Sequence, residues 1–454
     1  MSTLLKVYLA LGQLREAYRP MQKNFAFILL LLVVTVKAGT EFDEFDSDFD
    51  VSFDEAVVQI GAEKSTSVFG SVDFEAHYNY KTNNATKNLS SAKILVDLIA
   101  DHKLKNGNKV KSNIKGYYDL IYSSDLGNYT GTPQGYESEI NINELFVEGK
   151  ISKNADFKLG RQIVVWGKAD TVRVTDILNP LDLRVPGMVD VRNLRIGRTM
   201  SKLDYYLDNI NLSIIGIHEN NFSKSPKQYS DFRPILANTP SKEPNNSLAN
   251  TGIALALEGA FEGYDAAIYF ADTYVDKPYL KEGVLHYDNK SKMYGAAFSG
   301  AIENYLVTAE VAYFDTIKYV GVNNTKSRID SMIGFEYSGI DDGSISYEFA
   351  TRSIKDYEAA IYSANNGYKH KNDIQQALRI NKSYKNQTII LNAMVSMFGD
   401  KGREGGTANA SLDYIVNDRL SLSVGVIDYI GGSSPVLDSL KENDRVFTKA
   451  TYAF

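Results

Sequence analysis

The sequence predicts an all-β fold: a transmembrane antiparallel β-barrel of about 16–18 strands, with a structured loop folded into the lumen. Three observations predict it. Segments of about ten residues alternate apolar and polar side chains with a period of two. The connections between these segments are short and long in turn. An export signal reads near the start, and the last strand closes on Phe454.

From Met21 the chain reads MQKNFAFILLLLVVTVKAGT. Lys23 supplies a positive start, Phe25 to Val36 is an apolar run broken by Thr35, and Val36-Lys37-Ala38 is a small-x-small cleavage site. Residues 21–38 therefore read as a secretory signal peptide, and residues 1–20 as an upstream mis-start. The run is too short for a spanning helix, which needs ~20 residues. Residues 39–66 form an acidic leader. Within it, residues 41–55 carry eight acids and no base, with Phe42, Phe45, Phe49 and Phe53 at helical spacing. It reads either as a short periplasmic helix that touches a partner or as an acidic segment that keeps the chain soluble before assembly.

The barrel is expected over residues 67–454. In Ser344 to Arg352, Ile345, Tyr347, Phe349 and Thr351 share one face, and Ser346, Glu348, Ala350 and Arg352 the other. Ile253, Leu255 and Leu257 alternate with Ala254, Ala256 and Glu258. The same alternation places strands near 67–80, 89–102, 109–123, 138–151, 155–163, 200–207, 210–219, 250–259 and 264–273. It continues near 291–299, 303–314, 329–338, 343–353, 372–381, 386–397, 406–414, 419–429 and 444–454. Short links sit at Asn106-Gly107, Lys153-Asn154, Asp208-Asn209 and Glu262-Gly263, and long polar ones at 124–137, 220–249 and 274–290. Lipid offers no hydrogen-bond partners, so such a sheet must close. Apolar faces should meet lipid and polar faces the interior. Sixteen or more strands leave a lumen that wall side chains cannot fill. The 30 tyrosines suit interfacial girdles.

Composition narrows the function. Acids outnumber bases 56 to 49, against the basic face that nucleic acid requires. Absence of Cys removes thiol nucleophiles and Cys-based metal sites. His77, His102, His218, His286 and His370 are scattered and no G-x-S-x-G elbow is present, so no enzyme, metal or cofactor is expected.

Residues 164–199 break the alternation and are the candidate lumen constriction. Asn179-Pro180 and Val185-Pro186-Gly187 interrupt any strand. The segment holds the only Trp, and Arg and Asp interleave along it. The candidate constriction or binding residues are Arg161, Trp166, Lys168, Arg173, Asp176, Arg184, Asp190, Arg192, Arg195 and Arg198. Arginines around a pore favour anions and grip carboxylates with two parallel hydrogen bonds. The alternative is that Arg–Asp pairs only staple the loop to the wall. In the last strand, Val446, Thr448, Ala450, Tyr452 and Phe454 share a face. Tyr452 and Phe454 resemble the terminal assembly signal of bacterial outer-membrane barrels, which implies the barrel-assembly machinery as a partner.

The run Gly160-Arg161-Gln162, Val164-Val165-Trp166-Gly167, Arg173-Val174-Thr175-Asp176-Ile177-Leu178-Asn179-Pro180, with Pro186-Gly187-Met188-Val189-Asp190, carries a family resemblance. It resembles the signature of a family of proteobacterial outer-membrane proteins catalogued as a domain of unknown function. The resemblance implies a barrel in the bacterial outer membrane, surrounded by lipid, that is coupled to export or uptake of hydrophobic or organic-acid compounds. It brings no catalytic residues. The expectation is a channel or transporter for small anionic or hydrophobic organic solutes. The alternative is a non-conducting barrel that serves as a platform for a periplasmic or export partner.

Overall fold

The computed structural model describes residues 65–81, 88–122, 135–187, 191–227, 230–232, 239–364 and 369–454, with the side chains of Val191 and Arg192 excepted. The expected mis-start, signal peptide and all of the leader but its last two residues lie outside them. Among the described residues, eighteen strands close into one antiparallel barrel. They are β1 (Thr66–Asn79), β2 (Leu89–Lys103), β3 (Lys109–Asp119), β4 (Ser138–Ser152), β5 (Ala155–Gln162) and β6 (Arg198–Leu207). Next come β7 (Ile210–Ile217), β8 (Gly252–Phe261), β9 (Tyr264–Tyr274), β10 (Lys290–Ile302), β11 (Tyr305–Ile317) and β12 (Lys326–Ile340). The last are β13 (Gly343–Ile354), β14 (Asn372–Tyr384), β15 (Ile389–Phe398), β16 (Gly405–Ile415), β17 (Leu420–Ile430) and β18 (Arg445–Ala453).

Each strand pairs with its neighbour in sequence, and β18 pairs with β1 from Ser71 opposite Ala453 to Asn79 opposite Arg445. Phe454 fastens this seam: its N–H donates to the Gly70 carbonyl at 3.0 Å, and the Gly70 N–H returns a bond at 2.9 Å. Among the described residues, closure leaves the barrel sheet without an unpaired edge, as lipid requires. Tight connections such as 153–154, 208–209, 262–263 and 341–342 lie at one end and the long ones at the other.

The register decides which face each side chain takes. Ile253, Ile268, Val311, Ile333 and Val424 are exposed on the outer surface, where lipid covers them. Tyr305 faces Tyr337 near the tight turns, and Tyr294 faces Tyr313 toward the other end, so rings sit at both interfaces. Inside, β1–β4 and β14–β18 carry the expected polar side chains, among them Glu75, Lys93, Asp97, Asn392 and Lys449. The inner face of β6–β11 differs. Met200, Ile215, Ile217, Ala254, Ala271 and Met293 point inward and are fully buried. They form a dry floor because the segment after β5 packs on them with Val164, Trp166, Val172, Val174 and Leu178. Small and apolar inward residues are the counterpart of a loop that fills this half of the lumen.

Candidate lumen site

The connection between β5 and β6 turns into the barrel rather than out to solvent. Its descent begins with Asn179, which ties both ends of the segment. The Asn179 side chain accepts from the Val164 N–H at 2.8 Å and donates to the Ile196 carbonyl at 2.9 Å. Trp166 is 3% exposed and stacks on Tyr269 of β9 with ring centroids 4.7 Å apart. Such a pair adds ~0.5–1.5 kcal/mol beyond area burial. Lys168 reaches Asp265, near the tight-turn end of β9, at 3.0 Å.

Two wall carboxylates hold the bottom of the loop. Glu310 on β11 accepts from the backbone N–H of Lys168 at 2.6 Å, Ala169 at 2.8 Å and Thr175 at 3.0 Å, and from the Thr175 hydroxyl at 2.7 Å. Glu348 on β13 accepts from the N–H of Asp170 at 2.7 Å, Thr171 at 3.0 Å and Val172 at 2.8 Å. A non-helical segment carried into a barrel must satisfy its backbone donors, and these two side chains do so. Gly167 sits at φ +84°, and a Cβ there would come within 2.5 Å of the Glu310 carboxylate. Beyond this tip the loop crosses to the opposite wall. The Tyr429 hydroxyl of β17 donates to the Pro186 carbonyl at 2.6 Å, and the Asn409 amide of β16 to the Gly187 carbonyl at 3.2 Å.

The residues singled out from sequence divide into three sets. Trp166, Lys168, Arg173, Asp176, Arg195 and Arg198 belong to the folded loop and its stem. Asp176 is 5% exposed and lies between Arg173 at 3.1 Å and Arg195 at 2.8 Å. Arg198 donates to the Leu178 carbonyl at 3.1 Å and to the Asn221 side chain at 2.7 Å. Arg184 binds Asp182 and Glu139 farther out, and Glu139 also pairs with Lys224 at 2.6 Å. Burial would raise the Asp182 carboxyl, but hydrogen bonding and charge from Arg184 hold it below its ordinary range. Arg161 stands apart: it shares the outward face of β5 with Leu159 and pairs with Glu219 at the rim. Asp190 and the side chain of Arg192 lie outside the described residues. Tyr452 faces outward on β18, and Phe454 caps the seam.

A second group of charges was missed from sequence. At the loop end of β12–β14, Arg328 forms two bonds to Asp330 at 2.7 and 2.8 Å. Arg352 lies 3.8 Å from the same carboxylate and donates to the Arg173 carbonyl at the loop tip, at 3.2 Å. Lys369 pairs with Asp373. Lys277 stands in the connection between β9 and β10. Burial among wall atoms, then the charges of Arg352, Lys369 and Arg328, lower its ammonium to about 8. The alternation within Ser344–Arg352 had already placed Glu348 and Arg352 on the inner face. Nothing local signalled Lys277.

The sequence matches, over residues 23–454, the family described as protein of unknown function (DUF1302). No curated protein matches it. Among solved structures, OccAB3 of Acinetobacter baumannii superposes with a TM-score of 0.53 at 10% identity, covering 86% of this chain and 99% of that one. OpdK of Pseudomonas aeruginosa, crystallised with vanillate, gives 0.52 at 9% identity, covering 87% and 100%. OccAB1 of Acinetobacter baumannii gives 0.51 at 11% identity, covering 86% and 95%. These are outer-membrane channel proteins, and the likeness is one of fold.

Proposed function

Because the chain belongs to the DUF1302 family and has the barrel fold of outer-membrane channels, we propose that it passes small organic solutes, anionic ones by preference, across the bacterial outer membrane. One observation carries this reading. A folded loop fills one half of an eighteen-strand lumen and leaves the inner face of β14–β18 and β1–β4 lined with polar and charged side chains. A platform with no passage has no need of a wet inner face, and unpaired charge inside a dry barrel would be costly. The loop arginines are matched by Asp176, Asp182 and Glu139, so they brace the constriction. The arginines that line the passage are Arg328 and Arg352 on the wall. OpdK was crystallised with vanillate, an aromatic carboxylate, which agrees in kind with a cation-lined lumen. The Asp-rich leader and the barrel-assembly machinery belong to the route by which the chain reaches the membrane.

Purified full-length protein in a planar bilayer should give ion-permeable steps with a reversal potential favouring anions. A barrel that inserts and never conducts would sink the channel reading and leave the platform for an export partner. The preference should depend on pH. The Lys277 ammonium is lowered to about 8 by burial and then by the charges of Arg352, Lys369 and Arg328, against the opposing charge of Asp373. It keeps its charge below that pH and loses it above. Anion preference should therefore fall between roughly pH 7 and pH 9, because a group titrates over about one unit either side of its midpoint. The guanidinium groups stay charged throughout. A reversal potential that does not move over this window would remove Lys277 from the passage.

A further inference from the structure

We propose that Ser201 and His218 form a nucleophile–base pair on the lipid-facing wall that hydrolyses the acyl esters of phosphorylated membrane lipids. The pair lies outside the lumen, so this activity goes beyond the channel reading and does not depend on it.

Nothing in the sequence marks the pair: the two residues stand 17 positions apart, and no G-x-S-x-G elbow surrounds the serine. Sheet register brings them together. Ser201 of β6 lies opposite Gly216 of β7, and His218 follows two residues on, toward the same face. A Cβ on Gly216 would come within 3.2 Å of the His218 Cε1 and 3.4 Å of its Nε2, so the imidazole lies across a position that carries no side chain. The His218 N–H donates to the Thr199 carbonyl at 2.9 Å, which fixes its backbone. His218 Nε2 then stands 2.9 Å from the Ser201 Oγ. In the tautomer with its proton on Nδ1, Nε2 accepts from the hydroxyl, as a general base must.

The surroundings name the substrate. Ser201 also lies opposite Leu159 on the outward face. Toward the tight turns this wall is apolar, with Leu203 and Ile214 paired and exposed. Toward the loops it turns polar, with Thr199, Glu219 and Arg161. The pair thus stands where acyl chains give way to headgroups, the depth of a lipid's ester bonds. Arg161 lies one pleat farther out, opposite Thr199. Its Nε donates to the Ile142 carbonyl at 2.6 Å and its Nη1 holds Glu219. Its Nη2 bonds to no described residue and is left for a lipid phosphate.

Ser201 Oγ bonds to the ester carbonyl carbon as its proton passes to Nε2. The carbon–oxygen bond to the lipid alcohol breaks, and Nε2 gives that proton to the leaving oxygen. Water from the headgroup layer then opens the acyl-serine. Its proton passes by way of Nε2 to Oγ, and a fatty acid leaves. The strand ladders use the nearby backbone N–H groups, so the oxyanion is left to water and turnover should be slow.

The probe is an uncharged long-chain alkyl fluorophosphonate, which labels activated serines. It is applied to the full chain in phosphatidylethanolamine vesicles, with and without lipopolysaccharide, alongside a measurement of fatty acid release. Ser201 should carry the label, and Ser201→Ala should lose both readouts. His218→Asn should slow both roughly a hundredfold, the contribution of a general base. Arg161→Gln should slow release about tenfold, the effect of one charge-assisted contact, and leave labelling unchanged. Ser331→Ala, on the outer wall of β12 and bonded to Thr351, should match the native chain. Heat-modifiable gel mobility checks that each variant is folded. Release without lipopolysaccharide assigns a phospholipid as the source, and release only with it assigns lipopolysaccharide. An unlabelled native chain overturns the pair. So does release that survives Ser201→Ala, labelling that ignores His218→Asn, or a label with no fatty acid from either vesicle. Arg161→Gln slowing both readouts alike would remove the phosphate contact.

Discussion

Replacing Glu310 and Glu348 together by glutamine should release the lumen loop and raise single-channel conductance several-fold over the native chain. The two carboxylates are 4% and 6% exposed and accept from the backbone of six loop residues between Lys168 and Thr175. Hydrogen bonds to a charged acceptor each contribute ~1.5–3 kcal/mol. Glutamine keeps one carbonyl oxygen but turns an NH2 group toward donors that need an acceptor. The loop tip then carries buried, unsatisfied N–H groups in a narrow space beside Gly167. Its stable alternative is to leave the wall and find water at the barrel mouth. Trp166 on Tyr269 and Asn179 at the stem still hold the upper part, so the barrel itself should persist. Bilayer recordings and the heat-modifiable gel mobility of the double variant measure the two consequences. An intact barrel with native conductance would show that the carboxylates do not hold the constriction.

Deleting Phe454 should abolish most of the folded protein in the outer membrane. This residue makes two backbone bonds to Gly70 at the seam where, among the described residues, the first and last barrel strands meet, and its ring lies 3.2 Å from where a Cβ on Gly70 would stand. It also completes the outward face with Val446 and Tyr452, both exposed. Closing an eighteen-strand sheet brings together segments at opposite ends of the chain, the entropically most demanding contact in the fold. The loss of its last pair should therefore act on assembly more than on the finished barrel. Quantifying the heat-modifiable band in membrane fractions tests this. Native abundance in the truncated chain would remove Phe454 from both the seam and the assembly signal.

The family signature acquires a physical meaning from these contacts. Gly160 admits the β4 backbone, since a Cβ there would lie 2.4 Å from the Leu145 carbonyl. Gly167 clears Glu310, Thr175 binds it, Asp176 joins two arginines, and Asn179 laces the stem. The signature thus spells out an inserted loop, and it was visible in the sequence as a break in alternation rich in Arg and Asp. The sequence could not say that Arg161 faces away from the lumen while Arg173 and Arg195 share one carboxylate.

Strand positions, the outward apolar faces and the placement of Glu348 and Arg352 inside were all determined by the sequence alone. Alternation is a local property: a strand's side chains point to opposite faces whatever lies across from them. Tertiary structure alone decided that Glu310, 142 residues from Lys168, would cap the loop backbone, and that Arg352 would reach the Arg173 carbonyl at the loop tip. Those pairings depend on barrel closure and on which wall the loop leans against, and no local pattern encodes a contact between segments that meet only after the sheet has closed.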